Sequence, residues 1–268
     1  MIKTILLNGE ITSLDKVSLG SFTDGFSYGA GLFETFLLES GSPLLLNRHL
    51  NRLKGSLEYL KKHITSPAQE FLVEGAVRQM IQRALKEGPD LGSNFTGIGK
   101  IIASDGQLLI QFRHLPPIYQ TLLTEGVVLD QYKNHFYRKG DMTLNHKLLN
   151  YFRQFMYIQE NIVFTNEFNE ICESPTANIF LEIGNRIVTP PLDAPCLPGT
   201  VRDVLLTEKA FPNLVEAPLS MGDLHKVKGG FLTNSVYIAV PVRSIFGKTL
   251  ETSELLAEYV RKFVKEKH

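Results

Sequence analysis

Two adjacent prolines, Pro116 and Pro117, divide the chain into two halves of different character. Proline donates no backbone hydrogen bond, so a strand or helix is not expected to continue through this point. Before the prolines, short strand-like runs alternate with two amphipathic helical stretches; after them, strand-like runs predominate. The sequence therefore predicts an α+β protein with a small N-terminal domain over residues 1–115, a linker at 116–122 and a larger, strand-rich domain over 123–268.

Local patterns define several elements of the first half. Asn8-Gly9 and Asp105-Gly106 follow strand-like runs and have the composition of tight hairpin turns. Leucines at alternating spacings of four and three residues predict a helix that begins near Leu46. A capping-box pattern at Ser66 predicts that a second helix begins there.

The composition argues against several classes of protein. The chain has 28 Lys+Arg and 28 Asp+Glu, so it lacks the basic excess typical of nucleic-acid binders. No stretch is long and apolar enough to span a membrane, and the first residues do not resemble a signal peptide, so we expect a cytoplasmic protein. Cys172 and Cys196 belong to no CxxC or Cys/His cluster, so we expect buried free thiols and no metal site.

Two ionisable side chains are suited to covalent and electrostatic chemistry. Lys147 lies among apolar residues just before a helix expected at 148–160. A lysine desolvated by such neighbours is a better nucleophile for an aldehyde, although most lysines at helix starts are solvated. Glu173 lies near the start of a strand-like run, where a carboxylate either faces solvent or pairs with a buried cation such as a protonated pyridine nitrogen.

Three further segments offer groups for binding. Leu197-Pro198-Gly199 leads into a predicted helix, and unpaired amides at a helix N-terminus bind phosphate well. Arg52 borders the leucine stripe of the first helix, where it is either an exposed arginine or a binding residue. Thr233-Asn234-Ser235 supplies short polar side chains at a strand end, which is also ordinary turn composition.

Taken together, these segments resemble the class IV aminotransferases, the pyridoxal-phosphate enzymes of fold type IV. This family includes branched-chain aminotransferases, D-amino-acid aminotransferases and aminodeoxychorismate lyases. The resemblance implies a small N-terminal α/β domain, a larger strand-rich C-terminal domain and pyridoxal 5'-phosphate in the cleft, in a homodimer whose segment 27–33 faces the partner chain. It lies in six blocks that follow the family's order, at residues 28–35, 49–53, 146–151, 173–180, 197–203 and 233–235.

The resemblance also implies roles for individual residues. Lys147 matches the lysine that carries the cofactor as a Schiff base and moves the proton. Glu173 matches the partner of the pyridine nitrogen, and Arg52 matches an arginine that binds the cofactor phosphate. The remaining cofactor contacts are Leu197, which packs on the ring, and Thr200, Val201 and Ser235, which complete the phosphate site.

Within the family, the block His146-Lys147-Leu148-Leu149-Asn150-Tyr151 is similar to that of many aminodeoxychorismate lyases. Lys100 and Asn234 occupy positions where some lyases have substrate-side residues, although Lys100 is equally consistent with a solvent-facing strand lysine. The resemblance therefore implies a lyase of folate synthesis that acts on a small-molecule amino substrate. It would release pyruvate from 4-amino-4-deoxychorismate and leave 4-aminobenzoate.

Two departures from the family pattern leave alternatives open. Gly29-Ala30-Gly31 replaces the common Gly-Asp-Gly, and Asp105-Gly106-Gln107 turns directly into the next strand without the usual arginine-bearing loop. One alternative is a D-amino-acid or branched-chain aminotransferase. The other is a protein of the same fold that has lost turnover and has a binding or regulatory role.

Overall fold

The computed structural model describes residues 2–18, 23–131, 137–158 and 160–267, and it confirms the predicted α+β class. The chain forms two compact units. The first unit contains Met1–Pro116 and Lys147–Tyr151, and the second contains Pro117–His146 and Phe152–His268. The chain thus passes from the first unit to the second between the two prolines. It returns to the first unit for the five residues that begin at Lys147.

The first unit is built on a six-stranded antiparallel sheet with strand order β2-β1-β6-β5-β3-β4. Its strands are β1 (Thr4–Leu7), β2 (Glu10–Ser13), β3 (Gly31–Glu39), β4 (Ser42–Pro43), β5 (Gly97–Ser104) and β6 (Gln107–Arg113). Its helices are α1 (Thr23–Tyr28), α2 (Leu46–Tyr59) and α3 (Glu74–Glu87). The apolar sides of the sheet, α2 and α3 form one buried core.

Both hairpins predicted for this unit are confirmed. Asn8 and Gly9 have φ angles of 48° and 83°, and Asp105 and Gly106 have φ angles of 53° and 75°. Two successive residues with positive φ give the tight turn whose twist matches that of the flanking strands, and Asn-Gly and Asp-Gly adopt this conformation readily.

The two helices that the sequence predicted for the first unit differ in how accurately their starts were predicted. Helix α2 begins at Leu46 as expected, and its leucine stripe is buried in the core. Helix α3 begins at Glu74, so the expected start at Ser66 was wrong. A short 3-10 turn at Gln69–Leu72 comes first, and Leu72 is buried. Val73 then adopts an extended conformation, and α3 begins at the next residue. Burial of Leu72 in the turn outweighs the local preference of this segment for a helix.

The second unit contains a mixed sheet with strand order β11-β10-β9-β12-β13-β7-β8, and β14 pairs with β13. The pairs β10–β11, β13–β7 and β7–β8 are parallel. Its strands are β7 (Val127–Gln131), β8 (Ile162–Val163), β9 (Asn178–Ile183), β10 (Arg186–Thr189), β11 (Leu214–Glu216), β12 (Val227–Asn234), β13 (Ile238–Ile245) and β14 (Lys248–Thr249). Its helices are α4 (Tyr119–Glu125), α5 (Phe152–Met156), α6 (Thr200–Thr207) and α7 (Ser253–Lys267).

The segment around Lys147 differs from its sequence prediction. The helix expected at 148–160 is limited to α5, and the residues before it are not helical. Leu148 instead forms an antiparallel bridge with Leu32 of β3, because pairing with a strand satisfies its backbone. The expected linker at 116–122 includes the first turn of α4. In the part of the chain that the structure describes, no helix is long and apolar enough to cross a membrane.

Candidate active site

The first unit holds Lys147 in an extended segment beside the start of β3. The amide of Phe33 donates to the carbonyl of Lys147, and the amide of Leu149 donates to the carbonyl of Gly31, both at 2.9 Å. Lys147 is thereby fixed by backbone pairing to a strand at the edge of a packed core. A functional side chain on such a segment is held more precisely than one on an exposed loop.

Gly29 and Gly31 allow this close approach. Gly29 has a φ angle of +66°, and a Cβ atom there would lie 2.9 Å from the amide nitrogen of Asn150. A Cβ atom on Gly31 would lie 2.5 Å from a methyl carbon of Leu149. The Gly-x-Gly pattern of the sequence therefore has a structural explanation: side chains at these positions would displace the segment that carries Lys147.

The amine of Lys147 lies among aromatic rings and near a second amine. Its Nζ is 4.5 Å from the ring centroid of Phe33 and 5.2 Å from that of Tyr151. These two rings meet edge to face at 5.2 Å. The Nζ of Lys100 lies 4.6 Å from the same Phe33 centroid. Burial lowers the pKa of Lys100, and the charge of Arg113 adds to this effect.

Arg52 is held by a buried carboxylate from β3. Its Nε donates to Glu34 Oε1 at 2.8 Å, and its Nη2 donates to Oε2 at 2.6 Å. His49, one helical turn before Arg52, places Nδ1 2.6 Å from the same Oε2. The side chains of Glu34 and His49 are 1% and 0% exposed, and that of Arg52 is 10% exposed. The bidentate contact fixes both the position and the plane of the guanidinium group.

The ionisation of this cluster follows from burial and charge. Burial opposes ionisation of Glu34, but the charge and hydrogen bonds of Arg52, with help from His49, outweigh it and hold its pKa at about 2. Burial lowers the pKa of His49. The hydrogen bond to Glu34 and the charge of Glu34 oppose this effect but do not outweigh it, and the positive charges of Arg52 and Lys147 lower the pKa further. At neutral pH, Glu34 is therefore ionised and His49 is neutral, with Nδ1–H donating to the carboxylate.

The second unit holds Glu173 by hydrogen bonds to both carboxylate oxygens. The Tyr137 hydroxyl donates to Oε1 at 3.0 Å, and the backbone amide of Leu197 donates to Oε2 at 2.9 Å. Asn178 Nδ2 lies 3.5 Å from Oε2 and donates to the Leu197 carbonyl at 2.7 Å. Glu173 is 7% exposed, so the carboxylate is kept in place by partners that also desolvate it.

The N-terminus of α6 lies close to the start of β9 and the end of β12. A Cβ atom on Gly199, the N-cap residue, would lie 2.0 Å from Asn178 Oδ1. Asn178 pairs across the sheet with Thr233, whose buried hydroxyl has no hydrogen-bond partner among the described residues. The first helical residues, Thr200 and Val201, are buried, and their amides have no acceptor within the helix. Amides and a hydroxyl gathered at a helix N-terminus suit an anion.

Asn234 has a turn-forming contact. Its Oδ1 accepts hydrogen bonds from the amides of Val236 and Tyr237 at 3.0 and 2.8 Å. The side chain also lines a cavity of about 90 Å³ within the second unit, together with Thr176 and Tyr237. Turn formation accounts for the oxygen of this amide, so a role in binding would use Nδ2.

A comparison with protein families identifies the family of this chain. The model of the family "amino-transferase class IV" matches residues 31–245. The chain belongs to this family. The matched range includes every residue that the sequence predicted for the site.

The relatives of this chain include both a protein named as a lyase and proteins named as aminotransferases. An aminodeoxychorismate lyase of Bacillus subtilis (strain 168) is 28% identical in an alignment of 269 positions that covers 90% of this chain and 86% of the relative. A putative branched-chain-amino-acid aminotransferase of Methanocaldococcus jannaschii is 24% identical in an alignment of 279 positions that covers 94% of this chain and 91% of the relative. A hypothetical aminotransferase from Mycobacterium tuberculosis, solved in a PLP-bound form, shares the fold with a TM-score of 0.81 and 20% identity, covering 99% of this chain and 100% of that one.

Each unit of this class IV protein gathers one group of the predicted residues. Lys147 and Lys100 share the Phe33 ring in the first unit, where Arg52 is bound to Glu34. In the second unit, Glu173 is hydrogen-bonded to Leu197. The other predicted residues of this unit lie at the start of α6 and at the end of β12; they are Thr200, Val201, Asn234 and Ser235.

Sequence reasoning missed the side chains that hold these groups. Glu34 could have been found, because it is the one charge in the mostly apolar run from Leu32 to Leu38, and a buried charge requires a partner. Tyr137 had no such signal, since nothing local relates it to Glu173. In the described ranges, no group of three or more His, Cys, Asp or Glu side chains is placed to hold a metal ion.

Proposed function

We propose that this protein releases pyruvate from 4-amino-4-deoxychorismate and leaves 4-aminobenzoate. The observation that carries the proposal is the pair of amines at Phe33: Lys147 Nζ and Lys100 Nζ lie 4.5 and 4.6 Å from the same ring centroid. One amine can act as nucleophile and base, while the second offers a cation to an anionic substrate. Similarity to the Bacillus subtilis lyase over 90% of the chain supports the same activity.

Pyridoxal 5'-phosphate is the cofactor. The residues fit its three functional groups. The Lys147 amine suits the aldehyde, and the buried Glu173 carboxylate suits a protonated ring nitrogen. The N-terminus of α6, with the unpartnered hydroxyl of Thr233 beside it, suits the phosphate.

In the proposed reaction, the bound cofactor supplies an aldehyde for the substrate amine and a ring that accepts electrons. Lys147 Nζ would hold the cofactor and would then accept the proton from the substrate ring carbon that bears the amine. The Glu173 carboxylate would balance the positive charge of a protonated pyridine nitrogen. Loss of the enolpyruvyl group, which takes up a proton to become pyruvate, makes the substrate ring aromatic and drives the reaction forward.

The binding roles are divided among the remaining residues. The family resemblance assigns phosphate binding to Arg52, which Glu34 fixes in the first unit. In the second unit it assigns phosphate binding to the amides of Thr200 and Val201 and to the side chain of Ser235, and packing on the cofactor ring to Leu197. Lys100 and Asn234 contact the substrate. Orientation of the reacting groups by such contacts supplies a large part of the rate enhancement in reactions of this kind.

A second candidate is transfer of an amino group to a 2-oxo acid. It is supported by the similarity to the Methanocaldococcus jannaschii protein over 94% of the chain. The same Lys147 would move a proton in that reaction, so the two activities cannot be distinguished by the lysine alone.

Two assays on the purified holoprotein distinguish the candidates. Pyruvate released from 4-amino-4-deoxychorismate is followed with lactate dehydrogenase, and amino transfer is followed by the formation of glutamate from 2-oxoglutarate with a panel of D- and L-amino acids. We expect pyruvate release, with amino transfer much slower. Transfer without pyruvate release would identify an aminotransferase, and absence of both would favour the protein without turnover.

We also propose that the protein is a homodimer, and a cytoplasmic location stays a prediction from the sequence. The support for assembly is the exposure of large apolar side chains in and beside the segment expected to face the partner chain. Phe26 and Tyr28 of α1 are 73% and 78% exposed. Large apolar side chains that are exposed to this extent are candidates for burial in an interface.

A further inference from the structure

Tyr137 is a buried neighbour of Glu173 in the second unit. Its side chain is 3% exposed, and its ring packs against Phe164 with centroids 5.2 Å apart. Its hydroxyl donates to Glu173 Oε1 at 3.0 Å. A buried tyrosine whose hydroxyl meets a buried carboxylate places a directed donor on a charge that is shielded from water.

The orientation of this hydroxyl is set by a third side chain. Gln154 Nε2 of α5 lies 3.2 Å from the Tyr137 oxygen and donates to it. Because the Tyr137 oxygen accepts from Gln154, its hydrogen is free to point towards another acceptor. Accepting this hydrogen bond also polarises the hydroxyl and makes it a stronger donor. The chain of donors therefore runs from Gln154 through Tyr137 to Glu173.

The two oxygens of Glu173 are held by different partners. Oε2 accepts from the Leu197 amide at 2.9 Å, while Oε1 accepts from Tyr137. The Leu197 contact belongs to the backbone and is independent of side-chain identity. The contact to Oε1 depends on the tyrosine hydroxyl, so a single substitution can remove it and leave the first in place.

Each donor on a carboxylate stabilises its ionised form relative to its protonated form. When a carboxylate and a pyridine nitrogen share one proton, stabilising the carboxylate keeps the proton on the nitrogen. A protonated nitrogen makes the ring a better acceptor of electrons. The hydroxyl of Tyr137 is thus placed to influence the ring without touching it.

We propose that Tyr137 is a positioning residue that, through Glu173, keeps the proton on the ring nitrogen of the cofactor. This inference rests on the proposed role of Glu173. It assigns a function to a tyrosine outside all six sequence blocks that carry the family resemblance. Tyr137→Phe preserves the ring and its packing on Phe164 and removes the hydroxyl that donates to Glu173 and accepts from Gln154.

The experiment uses holoprotein loaded with pyridoxal phosphate that is labelled with ¹⁵N in the ring, and it measures the ¹⁵N chemical shift. In Tyr137→Phe we expect the shift to move from the pyridinium position towards that of unprotonated pyridine, and turnover to fall roughly tenfold. Thr165→Val is the matched control. Thr165 is a neighbour of Tyr137, since its carbonyl accepts from the Tyr137 amide. The substitution removes a buried hydroxyl that has no hydrogen-bond partner among the described residues. We expect the control to keep the wild-type shift.

Two further variants make the outcomes decisive. Gln154→Met leaves Tyr137 in place and weakens its hydroxyl as a donor, so it should move the shift in the same direction by less, even if Tyr137→Phe does not fold. Glu173→Gln should move it furthest. If Glu173→Gln moves the shift while Tyr137→Phe and Gln154→Met do not, the role of Tyr137 is overturned and that of Glu173 stands. If Glu173→Gln leaves the shift unchanged, the proposed role of Glu173 fails as well.

Discussion

Glu34 binds Arg52 through both carboxylate oxygens, at 2.8 and 2.6 Å, inside the core of the first unit. The pair joins the sheet to helix α2, because Glu34 belongs to β3 and Arg52 to α2. His49 approaches the same carboxylate from the preceding turn of α2. The proposed phosphate ligand is therefore oriented by the fold itself. If Arg52 binds the phosphate as proposed, both stability and cofactor binding depend on Glu34.

The first prediction concerns stability in acid. The pKa of Glu34 is lowered from 4.5 to about 2, so its stabilising effect is complete above its unfolded value and is lost as pH falls towards 2. This difference corresponds to about 3 kcal/mol. We expect Glu34→Gln to be less stable than wild type at pH 7 by about this amount, and to lose less stability on acidification. Urea unfolding at a series of pH values measures both effects.

The control for this experiment is Glu58→Gln. Glu58 pairs with Lys61 on the surface, where the two side chains are 72% and 62% exposed. An exposed pair contributes little, so this variant should match wild type at every pH. An acid dependence in Glu34→Gln as steep as that of wild type would show that the buried pair does not contribute as described.

The second prediction concerns the covalent attachment of the cofactor. Lys147→Ala removes the amine that lies beside Phe33 and Tyr151, while the backbone pairing that holds the segment remains. We expect a folded protein in which borohydride no longer links the cofactor to the chain. Mass spectrometry after reduction measures this directly. Lys100→Met should still be labelled, and a label that persists in Lys147→Ala would identify a different lysine.

The third prediction separates turnover from affinity at Glu173. Glu173→Gln keeps the size of the side chain but removes the charge. Its one carbonyl oxygen can still accept from the Leu197 amide, while its amide nitrogen replaces the oxygen that faces Tyr137. The phosphate contacts are untouched, so the Kd for pyridoxal phosphate should change little while kcat falls by orders of magnitude. Equilibrium dialysis and steady-state kinetics on the same preparation test the two quantities. Unchanged kcat would contradict the assigned role.

The fourth prediction concerns assembly. Phe26 and Tyr28 are exposed in α1, next to the glycines that support the Lys147 segment. We expect a dimer in sedimentation equilibrium, and Phe26→Asp should shift it towards monomer and lower activity together. Phe168→Asp is a suitable comparison, because Phe168 is 64% exposed in the other unit and was not predicted to face a partner chain. A fully active wild-type monomer at assay concentration would refute the proposal.

Features encoded by neighbouring residues were predictable from the sequence. The turns at Asn8-Gly9 and Asp105-Gly106 depend on conformations that these dipeptides favour, and the structure has both. The leucine stripe that begins at Leu46 depends only on helical periodicity, and α2 starts there. Lys147 and Glu173 were proposed as site residues from short sequence motifs, and recognising such motifs requires no knowledge of distant contacts.

Features that depend on distant residues were not predictable in this way. The residues after Lys147 have a helical composition, yet Leu148 pairs with Leu32, which is more than a hundred positions earlier. Tyr137 contacts Glu173 across 36 positions, and no local pattern relates them. Tertiary hydrogen bonds and burial override local preference at these sites, which is common where a chain positions functional groups.

The last prediction concerns Lys100, where the chain lacks the usual arginine-bearing loop. The turn at Asp105-Gly106 joins β5 directly to β6, so a substrate carboxylate must be met by other groups. Lys100 is half-buried, and its amine lies 4.6 Å from the ring that Lys147 also approaches. Loss of a charge-assisted contact costs about 1.5–3 kcal/mol, or roughly ten- to a hundredfold in kcat/KM. Lys100→Met should show this loss with an unaltered cofactor spectrum. Lys61→Met, which removes an exposed amine, should behave as wild type. If Lys100→Met retains normal kcat/KM on the best substrate, Lys100 is a strand lysine that takes no part in binding, and the cation for the substrate must come from elsewhere.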